Sequence, residues 1–398
     1  MMRKFSADFI FPVAQAPIKN GIIITDDSGV IKELINPNEI DYEINEVEFL
    51  SGIICPGFVN AHCHLELSFL KNKIPRKIGL DRFVREIENQ RRQNPEVIEE
   101  AIVNAENEMF RNGIVAVADI SNDDFTFKYK NESKIYYHTF IEVFSFDVNK
   151  AESAFTRGLN LAERLKSIYP SPSYSITPHA PYSCSKELFF KLINNAKTNS
   201  TFLTIHNQEN EEENLFFISK TGKLVERLES FGVNFENWQP PGKNSLPYMM
   251  DIIGDDMKLL LVHNTATNED DINYALDRNK NLRWCMCPGA NLYIENKLPD
   301  LNLFYSKVKE RITIGTDSLA SNSCLSVLEE IKILQQNFDY LELNELIKWS
   351  TLNGAEFLEI GDAYGSIEKG KKPGLNLISG INLQYQKLQG TATVKKLF

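Results

Sequence analysis

Six histidines stand in the 398 residues: His62, His64, His138, His179, His206 and His263. Five of them lie at or just past the end of an apolar, strand-like run. His62 and His64 share the stretch NAHCHLELS. Side chains two apart on a strand point to one side, so both imidazoles can reach one metal ion while Cys63 turns away. His206 closes FLTIH, and Asp317 follows ITIG and a threonine. Three imidazoles and a carboxylate suit a single divalent ion. Zinc fits such ligands, and iron or manganese fit nearly as well. An ion held this way leaves room for a water and can bring that water's pKa toward 7.

Further residues surround this set. Glu209 stands three positions after His206, where the chain turns toward a helix. There it can take a proton from water and hand it to a leaving nitrogen. The acids behind it, Glu211, Glu212 and Glu213, read instead as the first turn of that helix, where carboxylates suit the macrodipole. His263 ends LLLVH and is placed to contact the attacking water or steady a developing alkoxide. His179, in TPHAPYS, suits substrate better than metal. His138 falls inside its apolar run and reads as a satisfied core histidine. Glu66, two beyond His64, either faces the same cavity, where it could take ribose hydroxyls or a ring nitrogen, or sits on its rim in water. Lys71, Lys73, Arg76 and Lys77 follow, either gripping a substrate carboxylate or simply solvated.

The elements that must position these residues alternate in type. Predicted strands cover Ile53–His62, Ile114–Asp119, Ile135–Val143, Tyr174–Pro178, Phe202–His206, Leu259–His263, Leu282–Cys287 and Ile312–Gly315. Helical patterns lie between many of them, as in Asp81–Arg111 and Ala151–Ser167. Alternation over about 300 residues predicts a parallel sheet. Eight strands suggest closure into a (β/α)₈ barrel, whose active sites sit at the strand C-termini. An open doubly wound sheet is the alternative, although no Gly-x-Gly-x-x-Gly turn supports a dinucleotide site. Short apolar runs and turn signals before residue 52, and again after about Gly365, predict a small β domain built from both chain ends. The expected division is 1–55 with 362–398 for that domain and 56–361 for the barrel.

Composition narrows the class. Hydrophobic residues make up 42% and charged residues 24%, values of a globular chain. A net charge of -11 argues against nucleic acid as the main partner. No run approaches the length of a membrane span. Asp8 and Pro12 interrupt the apolar start before a signal peptide can form, so a cytoplasmic enzyme with a small-molecule substrate is expected, as a monomer or a homo-oligomer. Cys285 and Cys287 read as strand core. The Pro-Cys-x-x-Cys signature of cytidine-type deaminases is absent.

With these residues in hand, the chain resembles the amidohydrolase superfamily, in its chlorohydrolase, cytosine-deaminase-like and aminodeoxyfutalosine-deaminase-like branch. PGFVNAHCHLELS, TPHAPYSCS, HNQEN, LVHNT and IGTDSLASNSCLSVLEE carry the resemblance. The segment 236–248 and GSIEKGKKPGLNLI are similar to that branch's linker and terminal sandwich, with Pro373 and Gly374 where Ala-Asp is common. The resemblance implies that His62, His64, His206 and Asp317 are metal ligands. It makes Glu209 the proton shuttle and sets His263 against the hydrolytic water. Pro178 and His179 stand where two-metal relatives carry a bridging lysine, which implies a single metal. The implied reaction is hydrolytic deamination of an amino-substituted heterocycle or purine nucleoside, with an aminodeoxyfutalosine-like substrate hinted at by Glu66 and the basic loop. Alternatives are a hydrolase of the same site that expels chloride or opens a cyclic amide, and an inactive barrel scaffold.

Overall fold

The computed structural model describes residues 2–40, 44–235 and 238–398. Glu236 and Asn237, at the start of the 236–248 segment, lie outside the described residues. The eight predicted barrel strands are all present as two four-stranded parallel sheets. The first holds Phe58–Cys63, Ile114–Ser121, Tyr136–Val143 and Ser173–Pro178. The second holds Leu203–Asn207, Leu259–His263, Leu282–Met286 and Ile312–Ile314. Two seams close them into one barrel. At one, the backbone N–H groups of Thr316 and Asp317 both donate to the His62 carbonyl at 3.1 Å, and Cys63 bridges Asp317. At the other, the His206 N–H donates to the His179 carbonyl at 2.9 Å. Candidate site residues take part in both seams, beside Asn60 with Thr316 at the first and Thr177 with Thr204 at the second.

The first predicted strand is in fact two. Glu48–Pro56 belongs to a different sheet, and the barrel strand begins at Phe58. Gly57 makes the break. A Cβ there would stand 2.3 Å from a Val115 methyl and 2.8 Å from the Pro373 carbonyl oxygen, so only glycine fits. Residues 53–56 keep their apolar character because they pack in the terminal sheet. That sheet has seven strands, in which Glu48–Pro56 runs parallel to Arg3–Ile10 and antiparallel to Leu375–Asn382. Both chain ends therefore build it, with Lys387–Lys396 at its edge.

The helical pattern over 81–111 also divides, into Leu80–Gln90 and Pro95–Arg111. Asn94 caps the second helix by accepting from the Glu96 N–H, and Pro95 fills its first position, where a missing N–H costs nothing. His138 is buried in the third strand. Its ring nitrogens lie 2.7 and 2.9 Å from the hydroxyls of Ser173 and Ser175. It is a core histidine with both polar atoms satisfied, as its position inside an apolar run predicts. Cys285 and Cys287 are buried in the barrel as expected. Among the described residues, no helix is long and apolar enough to cross a membrane.

Candidate functional site

Five of the six histidines meet at the barrel mouth, His179 with its ring 4.9 Å from that of His206. The His62 ring lies 4.9 Å from that of His64, 5.0 Å from that of His206 and 5.8 Å from that of His263, between centroids. Nε2 of His64 and Nε2 of His206 are 3.2 Å apart. Oδ1 of Asp317 stands 3.6 Å from Nε2 of both His62 and His64. Local backbone supplies the aim. His263 and Asp317 adopt positive φ, 73° and 55°, which non-glycine residues avoid at a cost of about 1–3 kcal/mol. The surrounding bonds hold them there. Asn264 Nδ2 donates to the Leu261 and Cys285 carbonyls, and the Asp317 N–H is fixed by His62. Gly315 lets the last strand approach, since a Cβ would come within 2.8 Å of the His62 Cβ.

This donor set fits a divalent metal ion. Both ring nitrogens of His62 are buried without a hydrogen-bond partner, which is costly unless something else binds them. Burial pushes the His62 imidazole down to about 4 and that of His64 to about 3, so both are neutral near pH 7 and offer lone pairs. Nδ1 of His206 lies 2.9 Å from the His179 carbonyl oxygen and must carry the hydrogen, leaving Nε2 free on the cavity side. Two bare Nε2 atoms at close range repel unless a cation lies between them. Asp317 brings the negative charge, and its Oδ2 accepts from the Ser321 hydroxyl at 2.5 Å.

Glu209 is brought beside this cluster. Asn210 caps the helix Glu211–Ser219 by accepting from the Glu213 N–H, so Glu209 is left just outside it, at the cavity. Its Oε1 is 3.8 Å from Nε2 of His263. Burial pushes the Glu209 carboxyl up to about 7. Nδ1 of His263 lies 2.9 Å from the Asn291 side-chain oxygen, so it is the protonated nitrogen, and Nε2 faces Glu209 as an acceptor. Burial also lowers the His263 pKa and keeps the ring neutral.

The cavity over these groups has a volume of about 610 Å³ and includes His64, His206, Glu209, His263 and Asp317 in its walls. Glu66 and His179 line it too. Glu66 is therefore a cavity residue rather than a rim residue in water. Its Oε2 accepts from the Asn122 and Asp123 N–H groups at 2.8 and 3.3 Å, and burial pushes its pKa well up. The basic loop does not reach the site. None of Lys71, Lys73, Arg76 and Lys77 lines the cavity. Lys71 pairs with Glu108 at 2.8 Å, and Lys73 and Arg76 lie over the rings of Phe69 and Tyr293. The cations that do line it are Arg91, Lys150 and Arg227. Sequence reading missed these, and it missed Glu142 on the same wall. Glu142 stands one residue before the end of its strand Tyr136–Val143, close to where the histidines stand on theirs, so a signal was there. Arg227 lies on the helix Lys223–Ser230 and carries no local signal of its own.

A closed β/α barrel with three histidines, an aspartate and a buried glutamate at its C-terminal mouth has the architecture of a metal-dependent hydrolase. Residues 53–398 match the model of the amidohydrolase family, and the chain belongs to that family. It is 27% identical over 354 residues to an adenosine deaminase of Helicobacter pylori, covering 86% of this chain and 82% of that one. Among solved structures, the Helicobacter pylori aminofutalosine deaminase in complex with methylthio-coformycin superposes with a TM-score of 0.77 at 22% identity, covering 95% of this chain and 92% of that one. An adenosine deaminase from Xanthomonas campestris with bound zinc superposes with a TM-score of 0.74 at 20% identity, covering 98% and 87%.

Proposed function

We propose that the protein is a hydrolytic deaminase of an aminopurine nucleoside, with a single zinc ion held by His62, His64, His206 and Asp317. The observation that carries this reading is the pair at the cavity floor: a buried Glu209 poised near neutrality, with the neutral Nε2 of His263 facing it at 3.8 Å. The deaminase names of the relatives support it, and the zinc in one structural neighbour supports the choice of metal. We assign the chemistry to 56–361 and the terminal sheet to 1–55 with 362–398.

When bound, the ion supplies Lewis-acid character that makes a water a stronger acid. The protein's residues do the rest. Glu209 takes a proton from the attacking water as its oxygen adds to the amino-bearing ring carbon. Nε2 of His263 accepts a hydrogen bond from the water's other hydrogen, which stays on the oxygen, and the neighbouring ring nitrogen holds the electron pair of the opened C=N bond until it re-forms. Glu209 then delivers its proton to the amino nitrogen, the C–N bond breaks, and ammonia leaves with the ring carbon now bearing oxygen. A pKa near 7 serves both halves of this exchange, because the same group must accept and then donate. Glu66 and His179 are proposed to bind the nucleoside through its hydroxyls and a ring nitrogen. With the basic loop turned away, one support for an aminodeoxyfutalosine-like substrate is gone, and the proposal stays at aminopurine nucleosides. Ammonia release from a panel of these by the zinc-loaded protein tests it. Chloride release or ring opening without ammonia would contradict it.

A further inference from the structure

His206 is held from behind by two acceptors. Its Nδ1 lies 2.9 Å from the His179 carbonyl oxygen and 3.5 Å from Oε1 of Glu142. Glu142, His179 and His206 place ligand atoms within 4.8 Å of one another, which invites a second cation site. The carbonyl contact argues against one through Nδ1 of His206, and Nε2 of that ring faces His64 at 3.2 Å. A carbonyl only accepts, so Nδ1 carries a hydrogen and has no lone pair to give. Glu142 must serve another purpose. It is the penultimate residue of the strand Tyr136–Val143 and is 4% exposed. Its Oε2 accepts from Asn122 Nδ2 at 3.0 Å, while its buried Oε1 has no hydrogen bond. Burying a carboxylate oxygen without a donor is costly, and the His206 N–H is the group it faces.

We propose that Glu142 is a positioning residue for His206. The His179 carbonyl sets the tautomer, and the Glu142 carboxylate behind the same N–H steadies the plane of the ring and raises the basicity of Nε2, strengthening the hold on a divalent cation. A carboxylate behind a ligating histidine does this better than a neutral carbonyl. Asn122 is the brace, because it anchors the far oxygen of Glu142 while its own N–H is tied to Glu66. The inference rests on the reading of His206 as a metal ligand.

Chelator competition with Zn²⁺ on wild type, Glu142→Gln and Asn122→Ala tests it, with the melting temperature of each metal-free protein measured alongside. Glu142→Gln is expected to weaken zinc binding by about 10–100-fold. Asn122→Ala, in the bend after the strand Ile114–Ser121, is expected to show a smaller loss in the same direction. Glu142→Asp, which keeps the charge but withdraws it by one methylene, is expected to fall between wild type and Glu142→Gln. Zinc affinity unchanged in the variants, with only the metal-free melting temperature lowered, would overturn the proposal in favour of a packing role. A wild type that binds no zinc would sink the metal reading first and this one with it.

Discussion

Glu209 and Asp317 are both buried acids at one cavity, yet the structure gives them different tasks. Asp317 is pinned by its backbone, by Ser321 and by two imidazoles, which suits a ligand that must not move. Glu209 stands 3.8 Å from Nε2 of His263, beyond hydrogen-bond reach, which suits a group that must exchange a proton. Two substitutions separate the tasks. Asp317→Asn is expected to lose bound metal, read as metal content after dialysis, and with it nearly all activity. Glu209→Gln is expected to keep its metal and lose about 10²–10⁴-fold in kcat. Equal metal loss in both variants would show that Glu209 is a ligand instead. Most of this was legible in the sequence, because a histidine or acid at the end of an apolar run announces itself. Glu66 was legible only as a choice between cavity and rim, since both positions follow from one turn of chain. Arg227 was not legible at all, because what brings it to the cavity is the packing of a helix whose own pattern looks like an ordinary surface helix.

At the scale of elements, the break between the terminal-sheet strand and the first barrel strand depends on Gly57. Gly57→Ala would drive a methyl into Val115 and the Pro373 carbonyl. Overpacking of this kind costs about 1–3 kcal/mol, so a clear fall in melting temperature is expected, and an unchanged one would mean that the strand break is not fixed there. Sequence reading placed every barrel strand and missed this break, because residues on both sides are equally apolar and only the third dimension separates their sheets. The Asp81–Arg111 pattern hid a break for a related reason: helical periodicity continues across it, and only Asn94 and Pro95 mark the restart. The third strand gives a pH prediction well away from the metal. Burial pushes the His138 pKa down to about 3, against about 6.5 in the unfolded chain. Between those values the unfolded state binds the extra proton, so stability is full above about pH 6.5 and declines as pH falls through that range. Denaturant unfolding at pH 7 and pH 5 is expected to show that His138→Gln removes about 2 kcal/mol of the difference between the two conditions. An identical pH dependence in the variant would mean that the buried ring is not what titrates.

At the scale of the whole molecule, the metal-competent residues are also among the residues that close the barrel. His62 and Asp317 form one seam, and His206 with the His179 carbonyl forms the other. A cation held at their centre, as proposed, would tie both halves together. Free metal at 100 times its Kd adds about 2.7 kcal/mol to stability, so chelation is expected to lower the melting temperature and zinc to restore it. A melting temperature indifferent to chelator would mean that no ion is held there. The same convergence explains why the class of protein could be read early and the substrate could not. The ligands sit on strand ends, whereas the walls of the cavity come from helices and loops far apart in the chain. The most direct test of the central claim is ammonia release by the zinc-loaded protein from adenosine, 5′-deoxyadenosine and related aminopurine nucleosides, run beside Glu209→Gln. Release by the wild type that vanishes in the variant while its zinc remains is the predicted result. No ammonia from any of them, with zinc shown to be bound, would contradict the account.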